Sequence, residues 1–259
     1  MARKKPRTGV PQVRWGAVER AYRRRLNEVV LAAVELVEKR LFPQLQALAD
    51  EQRGRLGLRV DSPISEVEQI LSSVSLELDD LFPDALLESE VRLQAQEASA
   101  VNREQVRSQV KRVKGFDVFL DTPGLADVLD GFTKDNVRLV KSLKRDYLDR
   151  IEGSVKRGFR AGLRHEEVAK EIRRETGVVK KRAKLIARDQ IASINGELSR
   201  SRQTANGIRR FVWRTSGDER VRDEHQALEG QVFSWETGSP EGFPGQPVNC
   251  RCYAEPVFE

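Results

Sequence analysis

Apolar residues recur at steps of three and four along most of the first 206 residues, which is the spacing of one face of an α-helix. The first such stripe predicts a helix from residue 17 to about residue 50, and its members are Val18, Tyr22, Leu26, Val29, Val30, Ala33, Leu36, Val37 and Leu41. A second helix is predicted from Asp61 or Ser62, either of which can cap it ahead of Pro63. A long, highly charged helix follows Pro83 and is predicted to end at Gly115.

Residues 116–206 predict a connector followed by three further helices. The connector contains the turn signal Thr122-Pro123-Gly124, and we expect short helices around it. Thr133 is the predicted cap of the next helix. Gly177 is predicted to end the short helix after that, and Asn206-Gly207 to end the last one.

The pattern changes after Gly207 to short alternating runs separated by Gly and Pro. Phe211, Trp213 and Thr215 alternate with Val212, Arg214 and Ser216, which is the pattern of a β-strand. We expect a short helix within VRDEHQALEG, a short strand at QVFSW and an extended end at CRCYAEP. Trp213 and Trp235 are expected to form the small core of this region rather than a stacking surface for nucleic-acid bases.

The predicted fold class is therefore mainly α, with an elongated helical body and a small C-terminal α+β module. We divide the chain into a basic N-terminal arm (1–16), an N-terminal helical region (17–115), a central helical region (116–206) and the C-terminal module (207–259). The module contains few apolar residues, so we expect it to need packing against the helical body or a covalent or metal cross-link.

Charge is unevenly distributed along the chain. Over all 259 residues, Lys and Arg exceed Asp and Glu by only 46 to 40, which does not by itself indicate nucleic-acid binding. The first 25 residues carry many Lys and Arg and the single acid Glu19. This segment is either a solvated tail or a surface for phosphates or an acidic protein, with Arg23, Arg24 and Arg25 as candidate partner-binding residues.

Several classes of protein are disfavoured by composition. The sequence has no apolar run of 18 residues, so we expect no membrane span. The basic N-terminus lacks the apolar segment of a secretory signal. Two cysteines do not make a disulfide framework, so a reducing cytoplasm is the simplest compartment of synthesis.

Cys250 and Cys252 are the only cysteines of the chain. In an extended segment, alternate side chains point the same way, so we expect the two thiols to project together. His225 is a candidate third metal ligand, and Asp218, Asp223 or a water a candidate fourth, which makes Zn²⁺ the possible cofactor. Three alternatives stay open: a hydrogen-bonded cluster with half-buried thiols, a disulfide, and a nucleophilic Cys250 with His225 and Asp223.

Arginines surround the candidate ligands in sequence. Arg220 and Arg222 lie beside Asp218, Glu219 and Asp223. They form either a network of surface ion pairs or a second candidate surface for an acidic partner, protein or DNA.

A family resemblance extends over the last hundred or so residues. The motifs that carry it are Ala187-Arg-Asp-Gln190, Trp213-x-Thr-Ser216, Asp218-Glu-Arg-Val-Arg222, His225, Gly230, Pro244-Gly245 and Asn249-Cys-Arg-Cys252. In these motifs the sequence resembles the phage head morphogenesis family, the minor capsid proteins similar to the F protein of phage Mu. The resemblance implies a non-enzymatic protein of the virion head, assembled in the host cytoplasm.

Three hypotheses for the function follow. The resemblance implies an assembly protein that binds the phage portal, the major capsid protein or the scaffold protein. The basic segments favour a virion protein that binds packaged DNA during packaging or ejection. An enzyme that uses the His and Cys residues is the third hypothesis, and we expect the first.

Overall fold

The computed structural model of the chain describes residues 15–54, 62–114, 122–161 and 163–258. Most of the predicted basic arm, residues 1–14, lies outside the described residues. So do the candidate cap Asp61 and the part of the predicted connector from residue 115 to residue 121.

Six helices and three strands form the described part of the chain. The helices are α1 (Gly16–Gly54), α2 (Ser62–Leu81), α3 (Asp84–Lys114), α4 (Leu125–Arg160), α5 (His165–Ala205) and α6 (Asp223–Leu228). The strands are β1 (Arg210–Arg214), β2 (Val232–Ser234) and β3 (Tyr253–Val257). The mainly α class with a small C-terminal α+β module is therefore confirmed. Among the described helices, none is both long enough and apolar enough to cross a membrane.

The first three helices lie where the sequence predicts them, and α1 buries its predicted stripe. Tyr22, Leu26, Ala33, Val37 and Leu41 of α1 are buried, and the helix continues through Pro43. α2 begins at Ser62, and α3 ends at Lys114, one residue before Gly115. Amphipathic periodicity was sufficient here because each helix buries one continuous face.

The predicted helix start at Thr133 is wrong. α4 begins at Leu125, and Thr133 is buried in its interior. Phe132 is also buried, so the face that packs inward extends upstream of the predicted cap. Gly131 in a helix interior costs only about 1 kcal/mol relative to Ala, which the burial of that face offsets.

The predicted helix end at Gly177 is also wrong, because α5 runs without interruption from His165 to Ala205. Val168, Ile172, Val179 and Ala183 are buried on both sides of the glycine. Their spacing stays in phase across Gly177, so a single continuous helix buries the whole stripe. A break at Gly177 would have lost more free energy of burial than the glycine costs in helix propensity.

The chain divides into two compact units. The first, which we call the helical unit, comprises Arg20–Arg92 and Thr133–Ala187. The second, which we call the terminal unit, comprises Met1–Glu19, Leu93–Phe132 and Arg188–Glu259, as far as these residues are described. The four consecutive segments drawn from the sequence stay a prediction.

The helical unit has an apolar core, and a buried hydrogen bond joins two of its helices. Leu143, Ile151 and Leu78 are completely buried. The hydroxyl of Tyr22 donates to Asn136 Oδ1 at 2.6 Å, and burial raises the pKa of this tyrosine. The hydrogen bond joins α1 to α4 at a fixed register, because sliding either helix would leave a buried polar group without a partner.

The terminal unit contains a buried polar layer between α3 and α5. Asn102 Nδ2 donates to Asn195 Oδ1 and Ser199 Oγ, each at 2.8 Å. Arg202 is 1% exposed and donates to Asn102 and to Ser99. Its pKa is lowered to about 10, first by burial and then by the charge of Arg103. Such a layer specifies one pairing of the two helices, since any other would bury unpaired donors.

The small sheet has the order β2-β1-β3, with both pairings antiparallel. Phe211 in the central strand lies opposite Phe233 of β2 and Pro256 of β3. Phe211, Trp213 and Trp235 are buried in one cluster, which confirms the predicted core role of both tryptophans. The alternation predicted for β1 is confirmed as well, since Phe211 and Trp213 are buried while their neighbours are more exposed.

Candidate metal centre of the C-terminal module

His225 enters the core of the module from the short helix α6. His225 and Leu228 are the buried residues of this helix, and their spacing of three places both on one face. The imidazole packs edge-on against Trp213, with ring centroids 5.4 Å apart. The sheet therefore fixes the orientation of the ring that was predicted to be a ligand.

The segment between β2 and β3, residues 235–252, carries both cysteines, and we call it the cysteine loop. This loop touches the backbone of α5. A Cβ placed on Gly196 would lie 2.3 Å from the carbonyl oxygen of Pro244. A Cβ on Gly245, which has φ +92°, would lie 2.4 Å from the carbonyl oxygen of Ala192. Two glycines therefore let a helix and a loop approach more closely than any other residue allows.

Two polar residues of α5, Arg188 and Asp189, contact the same loop at Asn249. Asn249 has φ +61°, a left-handed conformation that Asn tolerates better than most residues. Its backbone N–H donates to Asp189 Oδ1 at 2.7 Å, and its side-chain oxygen accepts from Arg188. The residue before Cys250 is thus fixed at both its backbone and its side chain.

The three candidate ligands converge on one point. Cys250 Sγ lies 3.7 Å and Cys252 Sγ 3.5 Å from Nδ1 of His225. One donor atom from each of the three residues lies within 4.8 Å of the others, and all three residues are buried. Both thiols are free. These three residues, which we call the metal group, could therefore hold a metal ion, as the sequence predicted.

Cys250 is the acceptor for two backbone N–H groups. Gly245 N and Cys252 N each donate to Cys250 Sγ at 3.4 Å. The pKa of Cys250 is lowered to about 6, chiefly by a hydrogen bond from the Cys252 thiol, with the backbone donors and the charge of His225 adding to it and burial opposing it. The pKa of Cys252 is raised by that same hydrogen bond and by burial. The two backbone N–H donors therefore favour the thiolate form of Cys250.

The two thiols project together, as predicted, but they lie just before the strand and not in it. The sequence argument placed both in an extended strand, but β3 begins only at Tyr253. Cys250 and Cys252 belong to the loop, and the Cys252 N–H turns back to the Cys250 sulfur. A local hydrogen bond to the Cys250 sulfur thus accompanies the arrangement of the two thiols.

The candidate fourth ligands lie elsewhere. Asp218 accepts two hydrogen bonds from the guanidinium of Arg251, at 2.8 and 2.9 Å. Asp223 is exposed at the start of α6. Neither joins the group of three, and no further His, Cys, Asp or Glu of the described residues does so.

The candidate partner-binding arginines fall in two places. Arg220 and Arg222 are exposed at the edge of the metal group, where Arg222 donates to the carbonyl oxygen of Val248 at 2.5 Å. Arg24 and Arg25 are exposed on α1, and Arg25 pairs with Glu28 at 3.0 Å. Arg23 is half-buried on the same helix.

Sequence reasoning missed several residues that support the site. Gln203 of α5 accepts from Trp235 Nε1 at 3.0 Å and donates to the Ala254 carbonyl at 3.3 Å. Arg214 of β1 pairs with Glu229 and with Glu255. The motif Ala187–Gln190 carries part of the family resemblance, but its local sequence does not indicate that Arg188 and Asp189 contact Asn249.

A comparison with known protein families matches the part of the chain that contains this site. The family described as "Phage Mu protein F like protein" matches residues 149–255, so the resemblance is confirmed over that range. A Haemophilus influenzae protein named "Uncharacterized protein" is 31% identical over 164 residues, which are 62% of this chain and 37% of that protein. The chain thus matches little more than a third of this relative's length. No solved structure matches the chain.

Proposed function

We propose that this chain is a minor component of a phage head that acts in head assembly and binds the portal, the major capsid protein or the scaffold protein. The observation that carries the proposal is the match of residues 149–255 to the family of phage Mu protein F. That range includes all of α5 and extends into β3. It therefore contains the three-residue metal group and each contact described above between the cysteine loop and α5.

The construction of the module supports a role as a rigid binding element. The cysteine loop is fixed to α5 by close backbone contacts at two glycines. The hydrogen bonds that Asn249 makes with two residues of α5 fix it further. The core of the module is a cluster of aromatic rings, with Phe211 and Trp235 at a centroid distance of 4.3 Å. A pre-organised surface loses little conformational entropy on binding, so it suits a protein that attaches to a fixed position in an assembly.

We also propose that the metal group binds Zn²⁺. In a tetrahedral zinc site, bonds of about 2.3 Å to sulfur and about 2.05 Å to nitrogen place the two atoms about 3.5 to 3.6 Å apart. The sulfur–nitrogen distances of 3.7 and 3.5 Å match this edge length. Thiolate and imidazole are donors that zinc prefers. A bound ion would link α6 to the cysteine loop and stabilise a module with a small core.

The zinc proposal is tested by elemental analysis of the purified protein. We expect about one zinc per chain in the native protein and a loss of most of it in Cys252→Ser and His225→Asn. The matched control is His165→Asn, which changes the other histidine of the chain. Native protein without bound zinc, even after refolding with added zinc, would contradict the proposal.

The head-assembly proposal is tested in the phage or prophage that encodes the chain. We expect the chain in purified heads in far fewer copies than the major capsid protein. Disruption of its gene should reduce the number of normal heads seen by electron microscopy, and the native gene should restore them. Cross-linking of purified heads should join the chain to a portal, capsid or scaffold subunit. Heads that lack the chain and assemble normally without it would rule this function out.

Binding to packaged DNA remains the second hypothesis, since Arg24 is exposed on α1. Its signature is duplex-DNA binding that falls steeply between low and moderate salt, because phosphate contacts release counterions. The prediction that the chain is not an enzyme stays a prediction.

A further inference from the structure

The metal group offers three protein ligands where zinc takes four. Structural zinc sites have four protein ligands, whereas sites with three keep one position for an exchangeable ligand. The donors His225, Cys250 and Cys252 stand without a fourth His, Cys, Asp or Glu among the described residues. Of the two candidate fourth ligands, Asp218 pairs with Arg251, and Asp223 is exposed at the start of α6.

A small cavity adjoins the group on one side. It has a volume of about 60 Å³, and its walls include the three ligands together with Arg220, Arg222 and Arg251. A single water needs only about 10–15 Å³. The space therefore admits a ligand with a few heavy atoms, and it reaches the metal group itself.

The charges around the cavity favour an anion over a water. A zinc ion with two thiolates and a neutral imidazole has no net charge. Three arginines line the cavity, and of these Arg251 is neutralised by its ion pair with Asp218. Arg222 donates to a carbonyl oxygen, which does not cancel its charge. Arg220 and Arg222 thus add two positive charges to the residues of the cavity wall, and guanidinium groups pair with oxyanions.

We propose that the fourth ligand of this metal is a carboxylate supplied by another molecule. The proposal rests on the zinc site proposed above. The carboxylate has two possible sources with the same chemistry: a free small acid, or an Asp or Glu side chain of a neighbouring head protein. A single carboxylate oxygen binds the metal, and the second oxygen accepts from an arginine of the cavity wall. No bond other than the metal–oxygen contact forms, and the ligand displaces a water.

The experiment uses the full chain with Co²⁺ in place of zinc, because the visible spectrum of cobalt reports its ligands. Native protein is titrated with acetate in one arm and, in the other, with the peptide N-acetyl-Gly-Glu-Gly-amide. We expect a saturable spectral change in both. A response at lower concentration to the peptide than to acetate assigns the protein source, and the reverse assigns a free acid. The peptide N-acetyl-Gly-Gln-Gly-amide should give no change.

Variants of the cavity wall give a second readout. Arg220→Gln should weaken carboxylate binding by roughly fivefold, the effect of one nearby charge that is partly screened by solvent. Arg209→Gln removes the same charge from an exposed position outside the cavity wall and should leave the affinity unchanged.

The outcomes separate this inference from the proposals on which it rests. Cobalt-loaded protein whose spectrum ignores both acetate and the glutamyl peptide overturns the carboxylate ligand and leaves the zinc site standing. Equal effects of Arg220→Gln and Arg209→Gln overturn the role of the arginines in it. Protein that binds neither zinc nor cobalt overturns the metal site itself, and the head-assembly test is independent of both.

Discussion

Replacing Gly196 by Ala tests whether the cysteine loop depends on its close approach to α5. The new Cβ would lie 2.3 Å from the Pro244 carbonyl oxygen, against an ordinary contact distance of at least 3.4 Å. The loop would have to move by about 1.1 Å, the difference between those two distances. Because the obstructing atom belongs to the backbone, no side-chain rotation relieves the clash. Overpacking of this kind costs about 1–3 kcal/mol.

Gly131→Ala is the matched control. Gly131 lies inside α4 and in the same unit, and a Cβ there meets nothing within 4 Å. Ala stabilises a helix interior by about 1 kcal/mol relative to Gly, and both variants share this gain. The free energy of unfolding should therefore be lower in Gly196→Ala than in Gly131→Ala by about 1–3 kcal/mol. Gly131→Ala itself should equal or exceed the native protein in stability.

The assay is urea unfolding followed by tryptophan fluorescence. All three tryptophans, Trp15, Trp213 and Trp235, belong to the terminal unit, so the signal reports the unit that contains both glycines. Gly196→Ala should also bind less zinc, because the displaced loop carries both cysteines. If Gly196→Ala proves as stable as Gly131→Ala and retains its zinc, the close approach of loop and helix does not stabilise the site.

Three further predictions follow from individual contacts. Asn249→Ala should lower the free energy of unfolding by about 1 kcal/mol more than Asn249→Gly in the same assay, because only Gly accepts the left-handed backbone without cost; equal losses would show that the side-chain contact with Arg188 alone matters. Gln203→Leu should lower it by about 1–3 kcal/mol by leaving Trp235 Nε1 unpaired in the core, whereas Gln231→Leu at an exposed position should change it by less than about 0.5 kcal/mol; similar effects of the two would contradict this reasoning. Removal of the metal by a chelator should speed hydrogen exchange in residues 243–252 and leave the exchange rates on the buried face of α1 unchanged. If the chelator changes the rates in neither region, no metal supports the loop.

The regular elements were largely predictable from local sequence patterns. The stripe of α1, the alternation in β1 and the core role of Trp213 and Trp235 follow from periodicity and side-chain chemistry, which act over a few residues. The same reasoning identified His225, Cys250 and Cys252, since few residues other than His and Cys can make such a donor set. The family resemblance added the phage assignment, which residue chemistry alone would not have reached.

The helix boundaries at Thr133 and Gly177 were decided by packing. Both residues carry a correct local signal, but the buried stripe of each helix continues past the signal, and its burial outweighs a cost of about 1 kcal/mol. Local propensity therefore determines where a helix can end, and tertiary burial determines where it does end.

The details of the site depend on contacts between residues far apart in the chain. Patterns of residue type predicted the donors and the arginines around them. They could not show that Gly196 lies against Pro244, that Asp189 holds Asn249, or that Asp218 pairs with Arg251 and not with a metal. Such contacts are set by how α5, the loop and the sheet pack in three dimensions, and a one-dimensional pattern carries no information about distances of that kind.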